Sequence, residues 1–97
     1  MAAYVIAQVE VHDPETFKKY AAGVPDTIKQ YGGKYLVRGG PITPKEGDWT
    51  PKRVIVLEFP DMATAHRWYD SPEYQAIIDD RLKASKAQLI FVEGYTG

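Results

Sequence analysis

Residues 52–59, KRVIVLEF, are apolar on both alternating sides apart from the first residues and Glu58. A strand has two sides, so this one is expected at the centre of a sheet, covered on both faces. The flanking segments decide what can cover it. Residues 3–11, AYVIAQVEV, form a second strand-like run rich in Val, Ile and Tyr. Asp13-Pro14-Glu15 then opens a helix: Asp caps it, Pro is tolerated in its first turn, and Glu suits its positive end. Phe17, Tyr20, Ala21, Val24, Ile28 and Tyr31 recur at three- and four-residue steps, an apolar stripe of helical period. Pro25 has no N–H for the Ala21 carbonyl, which predicts a kink or a brief restart there. Gly32-Gly33 suits a left-handed helix end.

Residues 34–38, KYLVR, are the next strand. The connection at 39–51, GGPITPKEGDWTP, holds three prolines and three glycines in thirteen residues. Loops of that length inside a small domain are commonly functional or interfacial. After the apolar strand, Pro60-Asp61 opens a helix carrying Met62, Ala65, Trp68 and Tyr69, and Ser71-Pro72-Glu73 repeats the cap-then-proline signal, so a restart is expected at about Pro72. Tyr74, Ile77, Ile78, Leu82 and Ser85 give a further stripe, and residues 87–95, AQLIFVEGY, the last strand. The order is β-α-β-β-α-β. It predicts one α+β domain over residues 1–97, a four-stranded antiparallel sheet with both helices on one face. Right-handed crossovers put the first and third strands at the centre.

Two helices cover one face of such a sheet. The other face stays substantially apolar whichever parity it takes: Val5 alternates with Tyr4 and Ile6, Leu57 with Val56, Phe91 with Ile90 and Val92. Four strands of about six residues project roughly 400 Å², around the largest apolar patch a soluble monomer exposes. A two-fold homodimer stacking the open faces would cover it. The competing arrangement is a monomer that folds its own 39–51 loop across the face.

The net charge is −1 with Lys and Arg scattered, so neither nucleic acid nor an anionic membrane is an expected partner. The absence of cysteine removes disulfides, thiolate chemistry and Cys-based metal sites. No apolar run approaches the ~20 residues that span a bilayer, and no apolar signal segment opens the chain, so cytoplasmic is the default reading.

The stretches YVIAQVEVHDPETFKKY, YGGKYLVRGG, RVIVLEFPDMATAHRWYDSPEYQ and LIFVEGY resemble the domain of unknown function 1330 family over nearly the whole chain. The combination of RGG, EFP and WYDSPEY carries the likeness. The resemblance implies a ferredoxin-like α+β fold that pairs into a dimeric α/β barrel. It implies no agreed activity. The wider barrel superfamily includes cofactor-free monooxygenases, isomerases, haem enzymes and non-enzymatic stress proteins, and any of these would transfer by fold analogy alone.

Arg38 ends its strand before Gly39-Gly40, where a guanidinium could clamp a carboxylate or enolate. Its bland alternative is an ion pair with Glu58 or Glu10. Glu58 follows a mostly apolar run; desolvation would suit it to general-base work, and structural pairing is its alternative. His66 is the best general acid/base by type, or else a half-exposed helix histidine. Trp49 either closes a pocket or docks on a partner subunit. Trp68, Tyr69 and Tyr74 flank the Ser71-Pro72 break and either line a pocket or pack helix to sheet. His12 and His66 lack metal-ligand spacing, so no metal is expected; no serine elbow, phosphate loop or cofactor fingerprint is present.

Two functions compete. In the first, a homodimer binds a small organic molecule, anionic or aromatic, between helices and sheet. Arg38 fixes its charge, the aromatics hold it, and His66 or Glu58 moves a proton in cofactor-free proton transfer or oxygenation. In the second, the protein is a non-catalytic dimeric binding or structural module with Arg38 and Glu58 in ion pairs. Haem ligation by His66 ranks third.

Overall fold

Alternation along β1 (Ala3–Val11) sets the layers: Ala3, Val5, Ala7 and Val9 are buried while the residues between them are not. The computed structural model, which describes residues 1–96, continues with α1 (Pro14–Gln30), β2 (Lys34–Arg38), β3 (Val54–Phe59), α2 (Met62–Asp70), α3 (Pro72–Ala84) and β4 (Ser85–Glu93). The strands form one sheet in the order β2-β3-β1-β4, and every neighbouring pair is antiparallel. The βαββαβ order and the central placement of β1 and β3 are as the sequence predicts, with the second helix divided at Ser71.

Local chemistry explains the boundaries. Asp13 caps α1 by accepting from the Thr16 N–H and hydroxyl, at 3.3 and 2.7 Å. At the other end of α1 the Gly32 N–H donates to the Lys29 carbonyl and the Gly33 N–H to the Ile28 carbonyl, with Gly32 at φ +76. This is the paired left-handed ending that glycine favours. Ser71 closes α2 and opens α3: its hydroxyl donates to the Trp68 carbonyl at 2.7 Å and accepts from the Tyr74 N–H at 3.1 Å. Ser85, expected within the last helical stripe, instead begins β4. It pairs with Val11, and its hydroxyl donates to the Arg81 carbonyl at 2.6 Å, so helix passes to strand without a loop.

α1 is a single helix through Pro25, so the expected restart does not occur there. The carbonyl that Pro25 leaves without its helical donor is Ala21, and Arg38 Nη2 donates to it at 3.3 Å. A side chain from the sheet thus replaces the missing helix bond.

The core lies between helices and sheet. Trp68, Tyr74, Phe59, Ile28 and Val5 are its largest fully buried side chains. Trp68 stacks on Tyr74 at 4.3 Å and on Phe59 at 5.3 Å between ring centroids. Its indole N–H donates to the Thr27 hydroxyl at 3.0 Å, and that hydroxyl donates to the Val24 carbonyl, so the one polar atom of the core aromatic is satisfied.

The opposite face of the sheet stays open. A straight apolar row crosses all four strands through Val37, Val56, Ile6 and Ile90, and Ile6 and Ile90 are 36% and 57% exposed. The 39–53 connection covers only one end of this face, where Trp49, itself 65% exposed, donates to the Gln8 side chain at 2.9 Å. No helix among the described residues is long and apolar enough to cross a membrane.

The helix caps carry a pH dependence. Thr16 bonds hold the Asp13 carboxyl below its ordinary value of 3.8, and Thr64 does the same for Asp61 at the start of α2. A lowered folded-state pKa contributes stability that is complete above the unfolded value and is lost as pH falls through the folded one. Unfolding midpoints measured from pH 6 to pH 2 should therefore fall below about pH 4, and Asp13→Asn with Asp61→Asn should flatten that fall.

Candidate functional site

Side chains on the helix side of the sheet do not fill all the space beneath α1 and α3. A cleft remains there, walled by Val5, Ala7 and Val9 of β1, Ile55 and Leu57 of β3, and Val24 and Ile28 of α1, with Trp68 among its lining. Its empty space is about 550 Å³ with the open mouth included, of which about 50 Å³ admits the centre of a water molecule. The space that water can enter holds about four waters.

Arg38, Arg53 and Arg81 also line it, and no acidic side chain does. Each arginine arrives by a different route. Arg38 is brought round by an irregularity in β2, where Tyr35 pairs with Leu57, Val37 with Val56, and Arg38 with Ile55. Two residues of β2 thus pass while β3 advances one, which puts Tyr35 and Arg38 on the same side. The Arg38 guanidinium lies 4.6 Å from the Tyr35 ring centroid. Arg53 precedes β3 on the parity of Ile55 and Leu57, and its guanidinium lies 5.8 Å from the Phe17 ring centroid. It also packs over Gly39, which sits at φ +69 and whose added Cβ would fall 2.7 Å from Arg53 Nη1. The positive φ favours glycine there, and a larger residue would push the Arg53 guanidinium aside. Arg81 follows Tyr74 and Ile78 on the inner face of α3 and is 6% exposed.

The Nε atoms of Arg53 and Arg81 are buried and have no hydrogen-bond partner among the described residues. Buried charged donors are normally paired. Beside Arg81, the Tyr20 and Tyr74 hydroxyls share a hydrogen bond of 2.8 Å. Burial pushes the Tyr20 phenol far above its ordinary value, with Tyr74 adding to the rise and Arg81 opposing it. Burial raises Tyr74 likewise, against the Arg81 charge. Burial raises Tyr35 too, against Arg38 and Arg53. The cleft therefore presents fixed positive charge and phenols that stay protonated, hydrogen-bond donors suited to an anion.

The candidate residues named from the sequence fall into three places. Arg38 and Trp68 meet at the cleft, and Tyr69 and Tyr74 pack on Trp68 at 6.1 and 4.3 Å. His66 is exposed on α2 with its ring 4.8 Å from that of Phe91, outside the cleft. Glu58 and Trp49 lie on the open face. Glu58 pairs with Lys34 at 3.5 Å, so the alternative of an Arg38–Glu58 ion pair does not form: the two side chains leave the sheet on opposite faces. Glu10 shares a parity with Gln8 and Ile6 and is no nearer. Arg53, Arg81, Tyr20 and Tyr35 were not among the sequence candidates. The available signal was a charged residue at a core position, Arg81 seven residues beyond Tyr74 and Arg53 two before Ile55.

With this geometry in hand, the chain can be set beside known proteins. Residues 2–95 match the domain of unknown function (DUF1330). The chain belongs to the DUF1330 family. No curated protein matches it. Among solved structures it is similar to a Rhodopseudomonas palustris protein of unknown function (TM-score 0.75, 16% identity, 99% of this chain and 84% of that one). It is also similar to SnoaB, a cofactor-independent oxygenase from Streptomyces nogalater (TM-score 0.70, 13% identity, 99% and 95%). A dimeric ferredoxin-like protein of unknown function from Jannaschia sp. CCS1 matches at TM-score 0.72 and 12% identity over 97% and 100%. At these identities the likeness establishes the ferredoxin-like α+β fold.

The Arg38–Ala21 contact yields a test. Pro25→Ala restores a backbone N–H for the Ala21 carbonyl and removes a helix-interior proline, so the unfolding free energy should rise by about 1–2 kcal/mol. The side-chain Nε–H signal of Arg38 in a nitrogen-edited NMR spectrum should move as the guanidinium loses that acceptor. A destabilised variant with an unmoved signal would mean that Arg38 does not serve the helix.

Proposed function

We propose that this DUF1330 protein is a homodimer that binds a small organic anion in the cleft between helices and sheet. One observation carries the reading: three guanidiniums share the cleft without a carboxylate, and two of them bury an Nε that nothing in the described chain satisfies. Holding an unpaired charge in that setting costs about 1–3 kcal/mol or more per stranded donor. Such a cost is retained where a ligand repays it. Arg38, Arg53 and Arg81 are the anion-holding residues in this proposal. Trp68 forms part of the wall, Tyr69 and Tyr74 support it from behind, and Tyr20, hydrogen-bonded to Tyr74, adds a neutral phenol to the lining.

The reading is binding first. Fixed cations and protonated phenols do not exchange protons near neutral pH. Within one subunit His66 and Glu58 stand away from the cleft, so a catalytic role for either would need the substrate or the second subunit to reach it.

The homodimer rests on the open face. The row Val37–Val56–Ile6–Ile90 is apolar, crosses the whole sheet and is only flanked by Trp49. A self-complementary stack of two such faces is the simplest cover, and the Jannaschia protein of the same fold is described as dimeric. Ile6→Lys with Ile90→Lys should give a folded monomer by light scattering, where the unaltered protein measures as two chains.

Arg81→Met decides between a ligand-holding and a structural arginine. Replacing an unpaired buried charge by an apolar group of similar length should raise the unfolding free energy of the ligand-free protein by about 1–3 kcal/mol. The same change should abolish the thermal stabilisation that small carboxylates confer at millimolar concentration. Arg38→Ala should also weaken that stabilisation with the dimer intact. If Arg81→Met destabilises and carboxylates shift neither protein, the arginine holds the fold together and the binding reading fails.

A further inference from the structure

We infer that the cleft takes a small monocarboxylic acid with a compact apolar body, the carboxylate at the arginine end and the body against Trp68. This rests on the anion-binding reading above and specifies the anion. The register of the sheet sets the arginines toward one end of the cleft. Phe59 pairs with Ala3, and its ring lies 5.3 Å from Trp68, which places the indole at the Ala3–Val5 end of β1. Val5 pairs with Leu57 there.

At the other end the Val9 N–H donates to the Arg53 carbonyl at 2.9 Å, and Arg38 pairs with Ile55, the partner of Ala7. Arg81 stands one turn before Ala84, whose carbonyl accepts the His12 N–H at 2.9 Å, so it too belongs to the far end of β1. From Val5 to Val9 the wall formed by β1 and β3 therefore passes from apolar to cationic, with the neutral Tyr35 phenol on the β2 side of the apolar row.

The dry end offers nothing to a second charge. Its polar atoms are neutral: the Trp68 indole nitrogen already donates to the Thr27 hydroxyl at 3.0 Å, and Tyr35, in the row of Leu57, brings a phenol that burial keeps protonated. A dicarboxylate would strand one carboxylate against Val5 and Leu57. An inorganic oxyanion would leave the apolar end empty. A body of about four to six carbons matches the room for about four waters.

The test is a set of dissociation constants for the full-length protein at pH 7 and fixed ionic strength, followed by NMR titration at the Trp68 indole N–H. The probes are acetate, butyrate, pentanoate, benzoate, succinate, inorganic phosphate and benzyl alcohol. Each methylene added up to pentanoate should tighten binding about threefold to fourfold. Benzoate should bind at least about tenfold tighter than acetate, with succinate and phosphate no tighter than acetate. Arg53→Gln should weaken every acid about tenfold and leave the chain-length trend unchanged.

Affinity that is flat with chain length, or tightest for succinate or phosphate, would overturn the monocarboxylate while leaving anion binding in place. Benzyl alcohol binding as tightly as benzoate would overturn both, and so would no binding by any probe.

Discussion

Leu36 has no counterpart on β3, and that extra residue in β2 governs what the cleft contains. In an even strand, residues three apart leave the sheet on opposite faces. The irregularity reverses the parity, so Tyr35 and Arg38 both reach the helix side. There Arg38 meets a carbonyl that Pro25 has left free, lies against the Tyr35 ring, and stands in the same cleft as Arg53 and Arg81. With an even β2 it would project from the open face, on the side of Lys34 and Glu58, and two cations would line the cleft in place of three.

β1 links the two faces. Its residues Val5, Ala7 and Val9 wall the cleft, while Ile6 and Gln8 between them face outward to the apolar row and to Trp49. Substitutions on one parity should leave the other face intact to first order, because the strand's backbone pairing on both sides is unchanged. In the proposed reading, assembly and ligand binding are served by one strand with little physical interference. Trp49 belongs to the outward set, which explains why a loop tryptophan stays largely exposed in a single chain.

Much of the architecture was legible because it follows from short-range rules. The apolar run at Val54–Phe59 marked a central strand, and β3 lies between β2 and β1. Asp13-Pro14 and Ser71-Pro72 marked helix starts through capping chemistry that needs no tertiary partner. Other features depend on distant contacts and were not legible. α1 continues through Pro25, and the carbonyl left free there is met by a guanidinium from β2. Ser85 continues the helical stripe but starts β4, because pairing with Val11 outweighs local periodicity. At the site, Arg38 and Trp68 do share a cavity, whereas Glu58 and His66 lie elsewhere. Parity alone could separate Glu58 from Ile55 and Leu57, but it could not place Arg38 without knowledge of the irregular register. Arg53 and Arg81 sit at positions where an apolar residue would continue the pattern. Such a mismatch shows that a charge is turned inward, and only the three-dimensional arrangement shows that three of them converge.

The central claim is that buried guanidinium N–H groups await an anion. It is most directly tested by following the Arg53 and Arg81 Nε–H resonances as benzoate is added. The account predicts that both signals move downfield and saturate together with the Trp68 indole signal, each to one dissociation constant. If the two arginine signals stay fixed while benzoate is raised to tens of millimolar, the guanidiniums are not ligand groups, and the functional reading of the cleft is wrong.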